Sequence, residues 1–244
     1  MPETLAITRL LNQLFGAPVS ALLQAVGVHP ANPTAPINDT FALELLVAGG
    51  LIAFFLIVRL TLSVEKPNPA QQIAELINEF TGSNGEQIIG HGYERFQAFV
   101  TCIFLFVVIN NLLGLIPGIV TPTSAPVVPL GIALCTFVYY HFYGFREQGF
   151  VGYMKHFAGP IWWIWWLLFP IEIVSHFARI MSLTIRLYAN MFASDLVTLV
   201  FFSLIPVAIP TIFLGLHAAV SLIQAYVFML LAMIYLSQAV AHEH

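Results

Sequence analysis

The segment Ser182-Leu-Thr-Ile-Arg-Leu-Tyr-Ala-Asn-Met-Phe-Ala-Ser-Asp195 puts a permanent positive charge, Arg186, inside a long apolar stretch. A charged side chain at the middle of a bilayer costs about 2.5–3.5 kcal/mol on insertion scales, so an arginine kept there is expected to be used. The same region carries Glu172, Arg179, Asn190, Asp195 and His217. An ion pathway through a membrane is the leading reading of this group.

The composition agrees. Of 244 residues, 59% are hydrophobic and 8% charged, against roughly half and a quarter in soluble domains. We read the chain as an all-α integral membrane protein with five to six membrane helices, a surface amphipathic helix and a strongly tilted C-terminal hairpin. One membrane domain is expected over 1–244: an external N-terminal segment (1–40), peripheral spans and loops (41–159) and an ion-pathway hairpin (160–244). No basic patch suggests nucleic acid. Cys102 and Cys135 lie in apolar runs, where a thiol acts as a small hydrophobe, and no disulfide is expected. Met1 to Val28 lacks the basic start and small-residue cleavage site of a signal peptide and reads as an amphipathic surface segment.

Pro30, Pro33 and Pro36 mark a loop before a first span, Phe41 to about Leu62, with Glu44 and Arg59 flanking its ends. Residues 64–82 open with Glu65-Lys66-Pro67-Asn-Pro69, and Ile73, Leu76, Ile77 and Phe80 then recur at helical spacing, predicting a helix on the membrane surface. Phe96 to Phe145 contains no Asp, Glu, Lys or Arg. It is too long for one span, since about 20 residues suffice, and Pro117, Pro122, Pro126 and Pro129 divide it into spans over about 96–116 and 127–145. Arg146 to Gly159 reads as a polar loop, and Trp162, Trp163, Trp165 and Trp166 as an interfacial belt. Arg59, Lys66, Arg95, Arg146 and Lys155 fall in or beside the first and third connections, and the proline-rich second has no basic residue. The positive-inside rule then puts the N-terminus outside.

The last third is too long for upright spans. Neither proline nor glycine interrupts the helical pattern between Pro170 and Pro206, and Thr211 to about Ala241 is nearly as long. Thirty-odd residues make a helix of ~50 Å against a hydrocarbon core of ~30 Å. Two adjacent over-long helices predict an oblique hairpin.

Glu172, Arg179 and Arg186 are spaced by seven residues, which returns nearly to one helix face, and Asn190 follows a turn later. Ser175 and Ser182 lie near this stripe, and Asp195 falls on the opposite side of a regular helix. His217, Ser221, Gln224, Tyr235, Gln238 and His242 share a second stripe on the last helix. Simpler readings stand beside this one. Ser175 and Ser182 can bond their own backbone, His176 can be interfacial, Glu172 and Arg179 can be a structural ion pair, and glutamine can fasten helices without transport. Arg186 has no carboxylate three or four residues away, so its partner is expected from elsewhere.

The run 182–195 resembles the signature of subunit a of the F-type ATP synthase. So do His217, Gln224-Ala-Tyr-Val-Phe and Ile234-Tyr-Leu-Ser237, Asn110-Asn-Leu-Leu-Gly-Leu-Ile-Pro117, the Pro-Thr-Ser-Ala run at 122–125 and the ending Glu243-His244. The resemblance spans roughly 40–244. It implies a non-catalytic stator subunit in a bacterial inner membrane (alternatively a thylakoid or mitochondrial one), partnered by a c-subunit ring and a b-subunit peripheral stalk, with no cofactor or metal. Two proton half-channels would meet the ring. Arg186 matches the family's essential arginine between them, Asp195 and His217 match outer half-channel residues, Glu172 matches an acidic residue near the cytoplasmic exit, and Asn190 and Gln224 match polar residues beside the arginine. His176, Ser175, Ser182 and Ser221 are weaker pathway candidates. Gly114 stands where some relatives have an acid, leaving Asp39, Glu44 and His141 as candidate replacements.

Two other classes fit less well. A secondary transporter would be expected to show paired internal repeats and broken helices, and the sequence has no such repeat. A haem- or metal-dependent membrane enzyme could use His141, His176 and His217, yet no His-Glu-x-x-His or similarly dense ligand spacing occurs.

Overall fold

A computed structural model describes residues 5–240 apart from 26, 28–31, 33–34, 117, 159–164 and 205–207. Trp162, Trp163, Pro206 and His242 therefore lie outside the described residues. The regular elements are helical: α1 (Ala6–Ala25), α2 (Asp39–Leu60), α3 (Pro69–Ile88), α4 (Glu94–Leu113), a 3-10 turn (Pro122–Ser124), α5 (Val127–Ala158), α6 (Trp165–Leu204) and α7 (Ala208–Val240). Five of them, α2 and α4 to α7, are long and apolar enough to cross a membrane.

The chain forms two compact units, residues 1–57 and 58–244. In the first, polar side chains fasten α1 to the start of α2. Asp39 accepts hydrogen bonds from the Leu5 N–H and the Thr8 hydroxyl, and Asn12 exchanges two bonds with the Ile37 backbone. Asn38 caps α2 by accepting from the Phe41 N–H at 2.9 Å. The amphipathic segment expected at the N-terminus is a helix with Thr8 buried and Leu10, Leu14, Phe15 and Leu22 exposed.

In the second unit, α3 turns its polar and small residues toward the protein. Gln71, Thr81, Gly82 and Gly85 are buried, while Ile73, Leu76 and Phe80 are exposed. That inversion suits a helix whose apolar face rests on lipid. Thr81 shares a hydrogen with Thr101 of α4 at 2.8 Å, and Asn84 accepts from Tyr226 of α7. At Gly85 an added Cβ would lie 3.0 Å from the Tyr93 ring, so the missing side chain eases the close approach of α3 to the start of α4.

Two sequence expectations need correction. Residues 146–158 are helical instead of a polar loop, because only Gly149 interrupts α5, with φ +71° that glycine adopts at little cost. Likewise α6 starts at Trp165, with Pro170 inside it, and runs for 40 residues. That is ~60 Å of helix, twice the hydrocarbon thickness.

α6 and α7 form an antiparallel pair. Phe201 stacks on Phe213, Asp195 faces His217, Asn190 bonds Gln224, and the Arg179 guanidinium lies over the Tyr235 ring. From Phe201–Phe213 through Asn190–Gln224 to Arg179–Tyr235 the two helices advance by equal steps of eleven residues in opposite directions, and Asp195–His217 sits two residues off that register. Leu187, Met191, Ala225 and Phe228 are fully buried along this seam, in one cluster with Val107 of α4. α7 and α4 are the most enclosed spans, 44% buried in each, whereas α6 is 17% buried. α6 thus keeps a long open face.

Ala225 is fully buried in this cluster with Leu187 and Met191. Ala225→Leu is expected to cost about 1–3 kcal/mol by overpacking, seen as an earlier unfolding midpoint in a detergent–SDS titration. An unchanged midpoint would show slack at this crossing.

Candidate functional site

Helix α6 carries chemistry at three levels. Near its start, Glu172 Oε1 lies 3.3 Å from Nε2 of His176, one turn on. The His176 Nδ1 is 3.0 Å from the Tyr140 hydroxyl of α5. A carboxylate accepts, so Nε2–H points at Glu172, and in the neutral ring Nδ1 accepts from Tyr140. Tyr140 and His176 are buried and Glu172 is partly exposed, so this wire leads outward from the protein. The His141 ring lies 4.8 Å from that of His176. His141 therefore belongs to the Glu172 end and is no substitute for an acid at Gly114. Ser175 is half-buried, three residues beyond Glu172. Glu172 and Arg179 do not form the ion pair considered above: seven residues separate them by ~10 Å along the axis, Glu172 takes His176, and Arg179 takes Tyr235.

In the middle stands Arg186, half-buried, with Asn190 exposed one turn later. Arg186 Nη2 donates to Ser182 Oγ at 3.2 Å. Its partner is thus a neutral hydroxyl on its own helix, and among the described residues no carboxylate reaches it. Ser182 accepts from the guanidinium. Asn190 Nδ2 donates to Gln224 Oε1 of α7 at 2.7 Å. Beside this pair lies a cavity of about 240 Å³ lined by Asn190, Ser194, Val197, Phe213, Leu216 and Val220.

The third level gathers three elements. Asp195 Oδ1 accepts from the Thr121 hydroxyl at 2.7 Å and lies 3.6 Å from Nδ1 of His217. The other ring nitrogen of His217 is 3.2 Å from the Asn111 carbonyl oxygen, near the C-terminus of α4 where helix carbonyls lack partners. A carbonyl can only accept, so Nε2 carries a hydrogen and Nδ1 is left to share with Asp195. Asp195 Oδ2 is buried without a hydrogen-bond partner. A cavity of about 230 Å³ adjoins Asp195, lined also by Gly114, Gly118, Thr198, Phe202 and Leu214. The cluster is braced by Thr123, which donates to Asn111 Oδ1 at 2.6 Å, and by Asn111 Nδ2, which donates to the Ser221 carbonyl. The Ser221 hydroxyl meets Met191 sulfur at 3.8 Å.

Sequence reasoning missed Thr121, Thr123, Asn111 and Tyr140 as members of these groups. Their signal is polarity inside the charge-free run 96–145. Asp39 and Glu44, candidates for the place opposite Gly114, belong to the N-terminal unit, where Asp39 is engaged by Leu5 and Thr8. Among the described residues no group of three or more His, Cys, Asp or Glu could hold a metal ion, and Cys102 and Cys135 are free thiols on exposed faces.

Comparison with known proteins now bears on the arrangement. The sequence model of the ATP synthase A chain family matches residues 19–237. ATP synthase subunit a of Koribacter versatilis is 53% identical over the whole of both chains. That of Solibacter usitatus is 44% identical over 92% of this chain and 96% of its own, and that of Sulfurimonas denitrificans 38% over 82% and 90%. With five apolar helices of spanning length and this match over most of its length, the chain is a multi-pass membrane protein that belongs to the ATP synthase A chain family.

Proposed function

We propose that this chain is the proton-translocating stator subunit of the membrane sector of an F-type ATP synthase in a bacterial inner membrane. It acts without catalysing a reaction itself, offering two half-channels to a rotating ring of c subunits and held by a b-subunit stalk. The observation that carries this reading is the division of α6 into two carboxylate–imidazole–hydroxyl groups at different levels, Glu172–His176–Tyr140 and Asp195–His217–Thr121, with Arg186 on the open face between them. Asp195 lies nine residues, ~14 Å, from Arg186, and Glu172 fourteen residues, ~21 Å, on the other side.

The chemistry follows from the charges. A ring carboxyl must be neutral while it faces lipid and must ionise when it meets the stator. At ~4 Å and an effective dielectric near 20, the guanidinium attracts a carboxylate by about 4 kcal/mol, which favours release of the proton toward the exit group. Ser182 already holds one Arg186 nitrogen, and the planar guanidinium has donors left for a carboxylate. Because that tie is to a neutral group, no resident anion competes with the ring. A fixed positive charge also opposes a proton passing straight from one half-channel to the other. With the basic connections on the cytoplasmic side, the Asp195 group faces outward and the Glu172 group faces the cytoplasm. Each charge crossing 100 mV contributes ~2.3 kcal/mol, so several protons must serve each ATP.

Three outcomes test the reading in inverted vesicles that hold wild-type amounts of assembled complex. Arg186→Ala should abolish ATP-driven quinacrine quenching while the subunit still inserts, since removal of the charge lowers the insertion cost. A normal gradient in that variant would make the arginine structural and end the proposal. Arg186→Lys should also fail or nearly fail, because lysine keeps the charge but lacks the planar fork that can bond Ser182 and a carboxylate together. Asp195→Asn should slow pumping at least tenfold with assembly intact; wild-type pumping would remove Asp195 from the pathway.

A further inference from the structure

The connection between α4 and α5 enters the Asp195 group through one hydroxyl. Thr121 is 1% exposed, and its Oγ1 donates to the same Asp195 oxygen that faces His217. The backbone holds it there. Thr121 immediately precedes the 3-10 turn, the Ser124 N–H and hydroxyl both bond its carbonyl, and Thr123 ties the turn to Asn111. Pro122 between the two threonines is buried. The turn thus delivers one hydroxyl to α6 and another to α4.

Gly114, at the end of α4, leaves the space this needs. A Cβ there would lie 1.8 Å from Thr121 Oγ1, 3.1 Å from Thr121 Cβ and 3.1 Å from His217 Nε2. The backbone of Gly114 has φ −65° and ψ −12°, open to any residue, so the requirement for glycine is one of space. Threonine is branched at Cβ and stiff, so its hydroxyl cannot swing aside cheaply.

We infer that Thr121 is a positioning residue of the proton pathway, holding the Asp195 carboxyl toward His217, and that Gly114 and Thr121 are a matched pair in which the missing side chain of one makes room for the hydroxyl of the other. The inference rests on the proposed proton-stator role. It assigns a task to a connection that otherwise reads as a plain proline-rich link. With Oδ1 fixed between Thr121 and Nδ1, the buried Oδ2 remains as the oxygen on which a proton can arrive or leave. Without the hydroxyl, the carboxyl can turn about its terminal torsion and lose its alignment with the imidazole.

The test is passive proton conduction through the membrane sector, in inverted vesicles stripped of the soluble ATPase and matched for subunit content. Thr121→Val keeps the shape and removes the donor; it should slow conduction at least tenfold, and Thr121→Ser should stay within about twofold of wild type. Gly114→Ser alone should block conduction or assembly through the overlap with Thr121. Combined with Thr121→Ala, the same Gly114→Ser change carries a hydroxyl to nearly the point that Thr121 Oγ1 occupied, and should conduct better than either single variant. Wild-type conduction by Thr121→Val would overturn the inference, as would a double variant no better than Thr121→Ala. Should Thr121→Val fail to assemble, the double variant decides alone. Arg186→Ala, read by ATP-driven quinacrine quenching in vesicles that keep the soluble ATPase, separates the two levels: if it fails to pump while Thr121→Val conducts freely, only the role of Thr121 falls, and if it pumps normally, the stator reading falls with it.

Discussion

Hydrocarbon supplies no hydrogen bonds, so each polar group inside a span must find its partner within the protein. That constraint organises the C-terminal hairpin. Asn190 meets Gln224, His217 meets Asn111 and Asp195, and Asn111 meets Thr123 and Ser221. Most of these bonds join different helices, so the groups of the pathway are also the fasteners that set its register. Their worth as glue is modest, averaging ~0.6 kcal/mol where such bonds have been measured in membranes. Cohesion comes from the packed seam of Leu187, Met191, Ala225 and Phe228. The bonds decide which of the possible packings is adopted.

The two polar groups of α6 share a composition but not a geometry. At the Glu172 end the carboxylate and imidazole are neighbours on one helix, and α5 adds the phenol. At the Asp195 end the carboxylate, imidazole and hydroxyl come from α6, α7 and the turn before α5. The first depends on helical spacing alone, the second on three elements meeting correctly. An imidazole suits both places because its proton affinity lies near neutrality, so it can take and return a proton without a large barrier. Arg186 differs in kind, since a guanidinium does not deprotonate and can act only through its field and its donors.

Much of this was legible in the chain. Hydropathy and length located the spans, and the seven-residue spacing found the stripe on α6. What the sequence left open was which groups touch. Glu172 and Arg179 share a face but stand two turns apart, so common facing did not mean contact, and within this chain Arg186 is held by a serine one turn back. Thr121 and Asn111 escaped because isolated hydroxyls and amides carry no periodic signal; their role depends on where a loop lands. The polar content of 146–158 suggested a loop, yet with only Gly149 to interrupt it the backbone stayed helical, and local polarity was a poorer guide than the scarcity of breakers.

Insertions and substitutions are unequal events in a hairpin of this kind. One residue added to α6 between Asn190 and Asp195 would rotate everything beyond it by ~100°. Asn190 would still meet Gln224, but Asp195 would turn away from His217 and Phe201 from Phe213. An equal insertion in α7 does not restore the Asp195–His217 contact, because it would turn His217 off the shared face and away from Asn111 as well. Outward-facing positions such as Leu199 and Ile223, 73% and 62% exposed, can exchange one apolar residue for another freely. The lineage of such a chain should therefore drift readily in letter while staying fixed in count along these two helices, with changes of length confined to the connections.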